Sequence, residues 1–173
     1  MAVYDLNTRH TNVVEGFKAD AIGTLRGCLE RIEHCVKQLS EEQVWWRPNP
    51  QMNAVGNLLL HLAGNLRQWL VSGVGGAPDH RRRQEEFDQR APMPKAELLT
   101  KLRQVIEEAE AAVAKQTEAE LLRVRPVQHW NTTALTAISH AVGHLEGHAQ
   151  EIIYITRMLL GEKYRFLWTP KTP

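Results

Sequence analysis

An all-α fold, an up-and-down four-helix bundle, is what this sequence predicts, on three observations. Four long segments carry apolar residues at spacings of three and four, the period that gathers side chains on one face of a helix. Clusters of Pro, Gly and polar residues separate these segments, and no pair of alternating runs stands out as a strand pairing. At 173 residues the chain is expected to form one domain over residues 1–173, long enough to bury a continuous core without disulfides or a structural metal. A bundle is the natural way to bury four apolar stripes.

The first helix is expected from Val13 to Leu39, where Val14, Phe17, Ala21, Leu25, Cys28, Ile32, Cys35, Val36 and Leu39 keep the helical period. Gly16, Gly23 and Gly27 interrupt it, each at an intrinsic cost of about 1 kcal/mol that close packing against a neighbouring helix would offset. Pro48 and Pro50 then exclude helix, and Asn53 is placed to cap a second helix running from Ala54 to about Val71. The glycines of SGVGGAP end that helix. Residues 72–94 make a connection longer than a bundle loop usually needs. It is expected to cross the end of the bundle, with a short turn of its own around Arg82 to Phe87, and is a candidate lid. Pro94 opens a third helix that carries Leu98, Leu102, Val105, Ile106, Ala109, Ala112 and Val113 on one face and stops near Gln116. TEAELLRVRPVQHWN reads as a turn and an extended stretch, and Thr132 or Thr133 can cap a last helix that reaches Leu160 and ends at Gly161. Tyr164, Phe166 and Trp168 make the tail too aromatic to be free, so it is expected to pack on the bundle or on a partner subunit.

Composition narrows the function. Lys and Arg number 21 against 20 Asp and Glu, a net charge of +1, which provides no field to hold a polyanion; nucleic acid is not an expected partner. The basic run Arg81 to Arg83, followed by Glu85, Glu86 and Asp88, reads as a solvated loop with local pairing. No window approaches the roughly 18 to 20 apolar residues of a membrane span, and MAVYDLNTRHTN lacks the apolar stretch of a signal peptide. No membrane association and a cytoplasmic location are the expectations. Cys28 and Cys35, seven residues apart, lie about 10 Å apart along one helix, beyond the roughly 7 Å Cα reach of a disulfide. They read as small buried apolar residues of a reducing compartment.

The chemistry-bearing pattern is a histidine stripe. His140, His144 and His148 follow one another at intervals of four on the last helix, so adjacent rings lie one turn apart on one side and can grip a single ion. A site also needs a ligand from elsewhere. His61, in the middle of the apolar face NLLLHLAGNL of the second helix, lies at a matching depth if the two helices are antiparallel neighbours. The alternative is that each is a satisfied core or rim histidine. Asn57 and Asn65, one turn to either side of His61, could orient its imidazole or serve as ordinary bundle hydrogen bonds. His140 is either a fourth ligand or a group orienting another, unless it is a surface histidine near a helix start. Glu146 projects away from this face, while Glu151, three residues past His148, can reach it. HExxH, Glu-x-x-His, P-loop and GxGxxG patterns are absent, which sets aside zincin, di-iron carboxylate and nucleotide chemistry.

NAVGNLLLHLAGNLRQWLVSGVGG and TALTAISHAVGHLEGHAQEIIYITRMLLGE together resemble the DinB-like superfamily of bacterial bundles, over nearly the whole chain. The resemblance implies a metal site at His61, His144 and His148, a homodimer, and, for the members with assigned activity, metal-dependent transfer or isomerisation with a low-molecular-weight thiol. The function expected is therefore a metal-dependent enzyme that joins a thiol to a small electrophile or performs metal-assisted hydrolysis. The metal would be a divalent ion (Ni, Zn, Fe or Mn), since imidazole suits several. Trp45, Trp46 and Trp69 are candidate pocket walls, or core and interface packing. The alternative is a non-catalytic metal-binding or stress-related bundle.

Overall fold

The computed structural model describes residues 9–169; most of the N-terminal stretch read for a signal peptide and the last four residues of the tail lie outside them. Seven helices and one hairpin follow in order. The four long helices are α1 (Val13–Gln38), α3 (Val55–Leu66, continuing as π-helix over Arg67–Val74), α5 (Lys95–Ala114) and α7 (Ala134–Leu160). Short helices α2 (Glu41–Trp45), α4 (Arg83–Asp88) and α6 (Glu118–Leu122) occupy the connections. Strands β1 (Val124–Val127) and β2 (Trp130–Thr133) pair antiparallel before α7. The all-α bundle the sequence predicts is the fold, with the hairpin a minor addition.

Side-chain bridges reveal how the helices run. Lys18 reaches the carbonyls of Ala114 and Gln116, Arg26 pairs with Glu110, and Arg103 pairs with Glu33, so α1 and α5 are antiparallel. Cys35 meets Tyr164, and His34 and Gln38 meet Arg165, so α1 and α7 run the same way. Trp45, just ahead of α3, bonds Met93, just ahead of α5, while Arg67 pairs with Glu108, so α3 and α5 are also parallel. In chain order the directions are up, down, down, up, with the two middle helices side by side.

That order explains the connections. Between two parallel neighbours the chain must return along the bundle, and residues 75–94 do so along α3. Asp79 meets Gln68, Arg81 meets Glu86 beside Gly64, the Glu86 and Gln89 carbonyls meet Asn57, and the Met93 carbonyl meets Trp45. The segment thus lines the length of α3 and does not cross the bundle's end, and its predicted short turn is α4. Residues 39–54 and 115–133 join helices that are not neighbours around the core.

Local chemistry sets the helix ends. Asn12 caps α1 by accepting from the Glu15 N–H at 3.0 Å, and Ser40 and Gln43 cap α2 reciprocally. At α3 the expected Asn53 cap is replaced: Ala54 is the N-cap residue, and its N–H donates to Oδ1 of buried Asn57 at 3.2 Å. The helix also outlasts its expected end, because its last turns widen into π-helix. Gly73 there lets Val127 of β1 approach, a Cβ being only 2.8 Å from the valine methyl. The hairpin was expected as an unpaired extended stretch; it pairs through a two-residue turn with Gln128 at φ 55°, a turn without the glycine that signals most such hairpins. Leu25, Ile32, Leu58, Leu62, Leu102 and Ile138 are among the fully buried side chains of the core. Cys28 and Cys35 are buried free thiols in it, both with pKa pushed up by burial. Tyr164 packs on the core as expected, whereas Phe166 and Trp168 stay exposed. No helix among the described residues is long and apolar enough to cross a membrane.

Helix α7 is capped by Thr133, whose hydroxyl accepts from the Thr136 N–H at 3.2 Å. Thr133→Ala is expected to lower unfolding stability by about 1 kcal/mol, read as a lower urea midpoint at unchanged m.

Candidate metal centre

His61 points from α3 into the interface with α7 and is 5% exposed. Opposite it, His144 and His148 occupy successive turns of α7, in the antiparallel arrangement that matching depths require. The ring centroids are 5.0 Å (His61–His144), 5.3 Å (His61–His148) and 4.6 Å (His144–His148) apart. One nitrogen from each lies within 4.8 Å of the others, and the Nε2 atoms of His61 and His144 are 3.1 Å apart. Two imidazoles on one tetrahedral zinc, at about 2.0–2.1 Å each, would have nitrogens about 3.3 Å apart, so the donor set fits a divalent ion. No other group of three possible ligands of this kind is found among the described residues.

Electrostatics favour a neutral His144. Burial, reinforced by repulsion from His148, His61, His140 and Arg81, lowers the His144 pKa to about 4, so its ring carries a lone pair near neutrality. His148 Nδ1 faces a Glu151 carboxylate oxygen at 2.7 Å, placing Glu151 in contact with the cluster as its spacing allowed. Glu146 is exposed, away from it. His140 does not join the three: it is exposed, its ring lies 4.2 Å from that of Trp69 and 6.1 Å from that of His144.

The orienting groups around His61 differ from those the sequence suggested. Asn65 is buried with Oδ1 unpartnered, and Asn57 spends its amide on the carbonyls of Glu86 and Gln89. Instead, Glu86 Oε2 sits 3.0 Å from His61 Nδ1, and Phe87 packs on the His61 ring at 4.8 Å. Behind Glu86, Arg81 forms a two-pronged pair with it, Nε to Oε1 at 2.7 Å and Nη2 to Oε2 at 2.8 Å. Burial alone would raise the Glu86 pKa, but the hydrogen bonds from Arg81 and His61 outweigh it and hold the carboxyl below its ordinary value. The side chain of Arg81, expected in a solvated loop, is only 4% exposed; Arg82 and Glu85 fit that description, being exposed and paired. Nothing in the run of charges distinguishes Arg81 from Arg82. The available signal was Gly64, three residues after His61 on a buried helix face.

Of the tryptophans, Trp45 is packing: its N–H donates to the Met93 carbonyl at 3.0 Å, and its ring fills the space over Gly56. Trp46 is 38% exposed. Trp69, buried under His140, is the one that reaches the neighbourhood of the cluster.

Residues 12–173 match the family model described as "Protein of unknown function (DUF1572)". No curated protein matches the chain. Among solved structures it is similar to a conserved protein from Enterococcus faecalis, at 18% identity and a TM-score of 0.69 over 88% of this chain and 99% of that one. It is also similar to a DinB-like protein from Bacillus subtilis, at 13% identity and a TM-score of 0.63 over 85% of this chain and 96% of that one. At these identities the likeness is one of fold, and the fold is DinB-like.

The His144 shift has a consequence for stability. Its folded pKa lies below the ordinary 6.5, so on acidification the unfolded chain takes the proton first. The contribution is fully present above about pH 6.5 and is lost as pH falls towards 4. In metal-free protein, urea midpoints should fall over this window, and His144→Gln should fall less steeply than the parent.

Proposed function

Given that the chain belongs to the DUF1572 family, we propose its function from the site: a divalent metal ion held by His61, His144 and His148, serving an enzyme that acts on a small molecule. The observation that carries this reading is the meeting of three imidazoles, from two antiparallel helices, within 4.8 Å in a place that is partly open to solvent. The His148 side chain is 27% exposed, and His140, the histidine the sequence offered as a fourth ligand, is turned onto Trp69. Three protein ligands with positions left open are the pattern of catalytic sites, whereas structural sites complete four. A non-catalytic bundle, the alternative, is the poorer fit for that reason.

Such an ion supplies positive charge that polarises a bound substrate and lowers the pKa of a bound water or thiol. The chain's residues supply the rest. His144, uncharged near neutrality, adds no positive charge that would repel the ion, and Phe87 and Trp69 provide apolar surface beside the imidazoles. Sulfur as nucleophile must come from outside, because Cys28 and Cys35 are buried in α1 with raised pKa values. The resemblance to DinB-like proteins supplies the reaction proposed: transfer of a low-molecular-weight thiol to a small electrophile, with hydrolysis as the variant in which water takes the thiol's place. The ion proposed is Ni, Zn, Fe or Mn; the all-imidazole donor set suits the first three better than Mn, which prefers oxygen. Assembly as a homodimer in the cytoplasm completes the proposal, resting on the resemblance to DinB-like proteins.

Elemental analysis of untagged protein should find about one equivalent of metal in the parent and none in His61→Ala or His148→Ala. Thiol transfer across a panel of electrophiles should be lost with it. A parent that neither retains metal nor takes it up on reconstitution would overturn the proposal.

A further inference from the structure

We propose that Glu86, backed by Arg81, is a positioning residue of this centre: it holds His61 as the Nδ1–H tautomer, so that the Nε2 lone pair faces His144 and His148. The inference rests on the metal reading above for its purpose, but on hydrogen-bond geometry for its content.

His61 Nδ1 has two neighbours of opposite kind, the acceptor Glu86 Oε2 at 3.0 Å and the donor Arg81 Nη2 at 3.1 Å. Either tautomer therefore finds a partner, and only one leaves Nε2 free to bind an ion. The carboxylate chooses between them. Glu86 can only accept, and a proton on His61 Nδ1 gives it a charge-assisted bond, the stronger kind; without that proton a carboxylate oxygen would face the Nδ1 lone pair at 3.0 Å. Arg81 meets its other acceptors at shorter distances, 2.7 and 2.8 Å to the two Glu86 oxygens and 2.9 Å from Nη1 to Gln68.

The fold holds Glu86 where this requires. A Cβ on Gly64 would lie 2.0 Å from Glu86 Oε1, 2.8 Å from its Cδ and 3.0 Å from Arg81 Nε, so the pair occupies a slot that glycine alone leaves on α3. Asn57 ties down the backbone of α4 through Glu86 and Gln89. On the other side Gln68 holds Asp79, which in turn accepts from the Arg81 N–H at 3.0 Å. A carboxylate fixed on the outer nitrogen of a metal-binding imidazole sets its orientation and raises its basicity.

The test uses the full chain and two readouts. Nitrogen-15 NMR of the metal-free parent should show His61 as the Nδ1–H tautomer. Glu86→Gln, whose amide can present an N–H to Nδ1, should convert it to Nε2–H. Zinc affinity, measured by competition with a chromophoric chelator, should weaken about 10- to 100-fold in Glu86→Gln and in Gly64→Ala, with helical circular dichroism unchanged. The proposal is overturned if the parent shows His61 as Nε2–H, or if both variants bind zinc within twofold of the parent. A parent that binds no zinc, yet shows an Nδ1–H tautomer that depends on Glu86, would sink the metal reading while supporting the assignment of Glu86.

Discussion

Because α3 and α5 run in the same direction, the chain between them must travel back along α3, and the candidate centre depends on that return. A tight turn cannot join parallel neighbours. The returning segment is polar and would gain little by lying on a helix, yet it is pinned at both ends, by Asn57 under α4 and by Gln68 at Asp79. Between those anchors it delivers a largely buried arginine–carboxylate pair to the one histidine of α3. Gly64 is the matching feature on the helix: the missing side chain is what lets a salt bridge lie against α3 at the level of His61. A buried ion pair is weak evidence of stability, since desolvation offsets its attraction. Its cost is easier to understand if the pair serves the imidazole.

The opposite face of the interface behaves differently. α7 is capped at Thr133 and runs without a break for 27 residues to Leu160, so His144 and His148 are held at fixed depth by a rigid element. Their surroundings differ in polarity: His148 is partly exposed and bonded to Glu151, whereas His144 is desolvated and has a bare Nδ1. The cluster thus combines one histidine set by a tertiary carboxylate, one by a carboxylate of its own helix, and one by burial and its contact with His61. Next to it, the π-helical turns of α3 carry Trp69 against His140. Such turns occur frequently at functional sites.

The four long helices were legible because each buries a stripe whose period survives in the sequence, and the three histidines because their spacing on α7 and their depth on α3 follow from that period. Glu151 was legible for the same reason, being three residues from His148 on one helix. Where one local signal competed with another, the sequence was ambiguous. Asn53 looked like a cap, but Asn57, buried three residues inside α3, reaches back to do that work. The hairpin lacked a glycine turn, and its strands are four residues each. The pairing of Arg81 with Glu86 was legible as a local one, but its contact with His61 was not. Their tie to His61 spans 25 and 20 residues and exists only because parallel helices force the chain past it.

In the proposed centre three imidazoles and no further protein group hold one ion. X-ray absorption at the zinc edge of reconstituted protein is the decisive measurement. Three imidazole nitrogens at about 2.0–2.1 Å are expected, with the remaining shell made of solvent oxygen and no sulfur. A shell with four imidazoles, or with fewer than three, would contradict it.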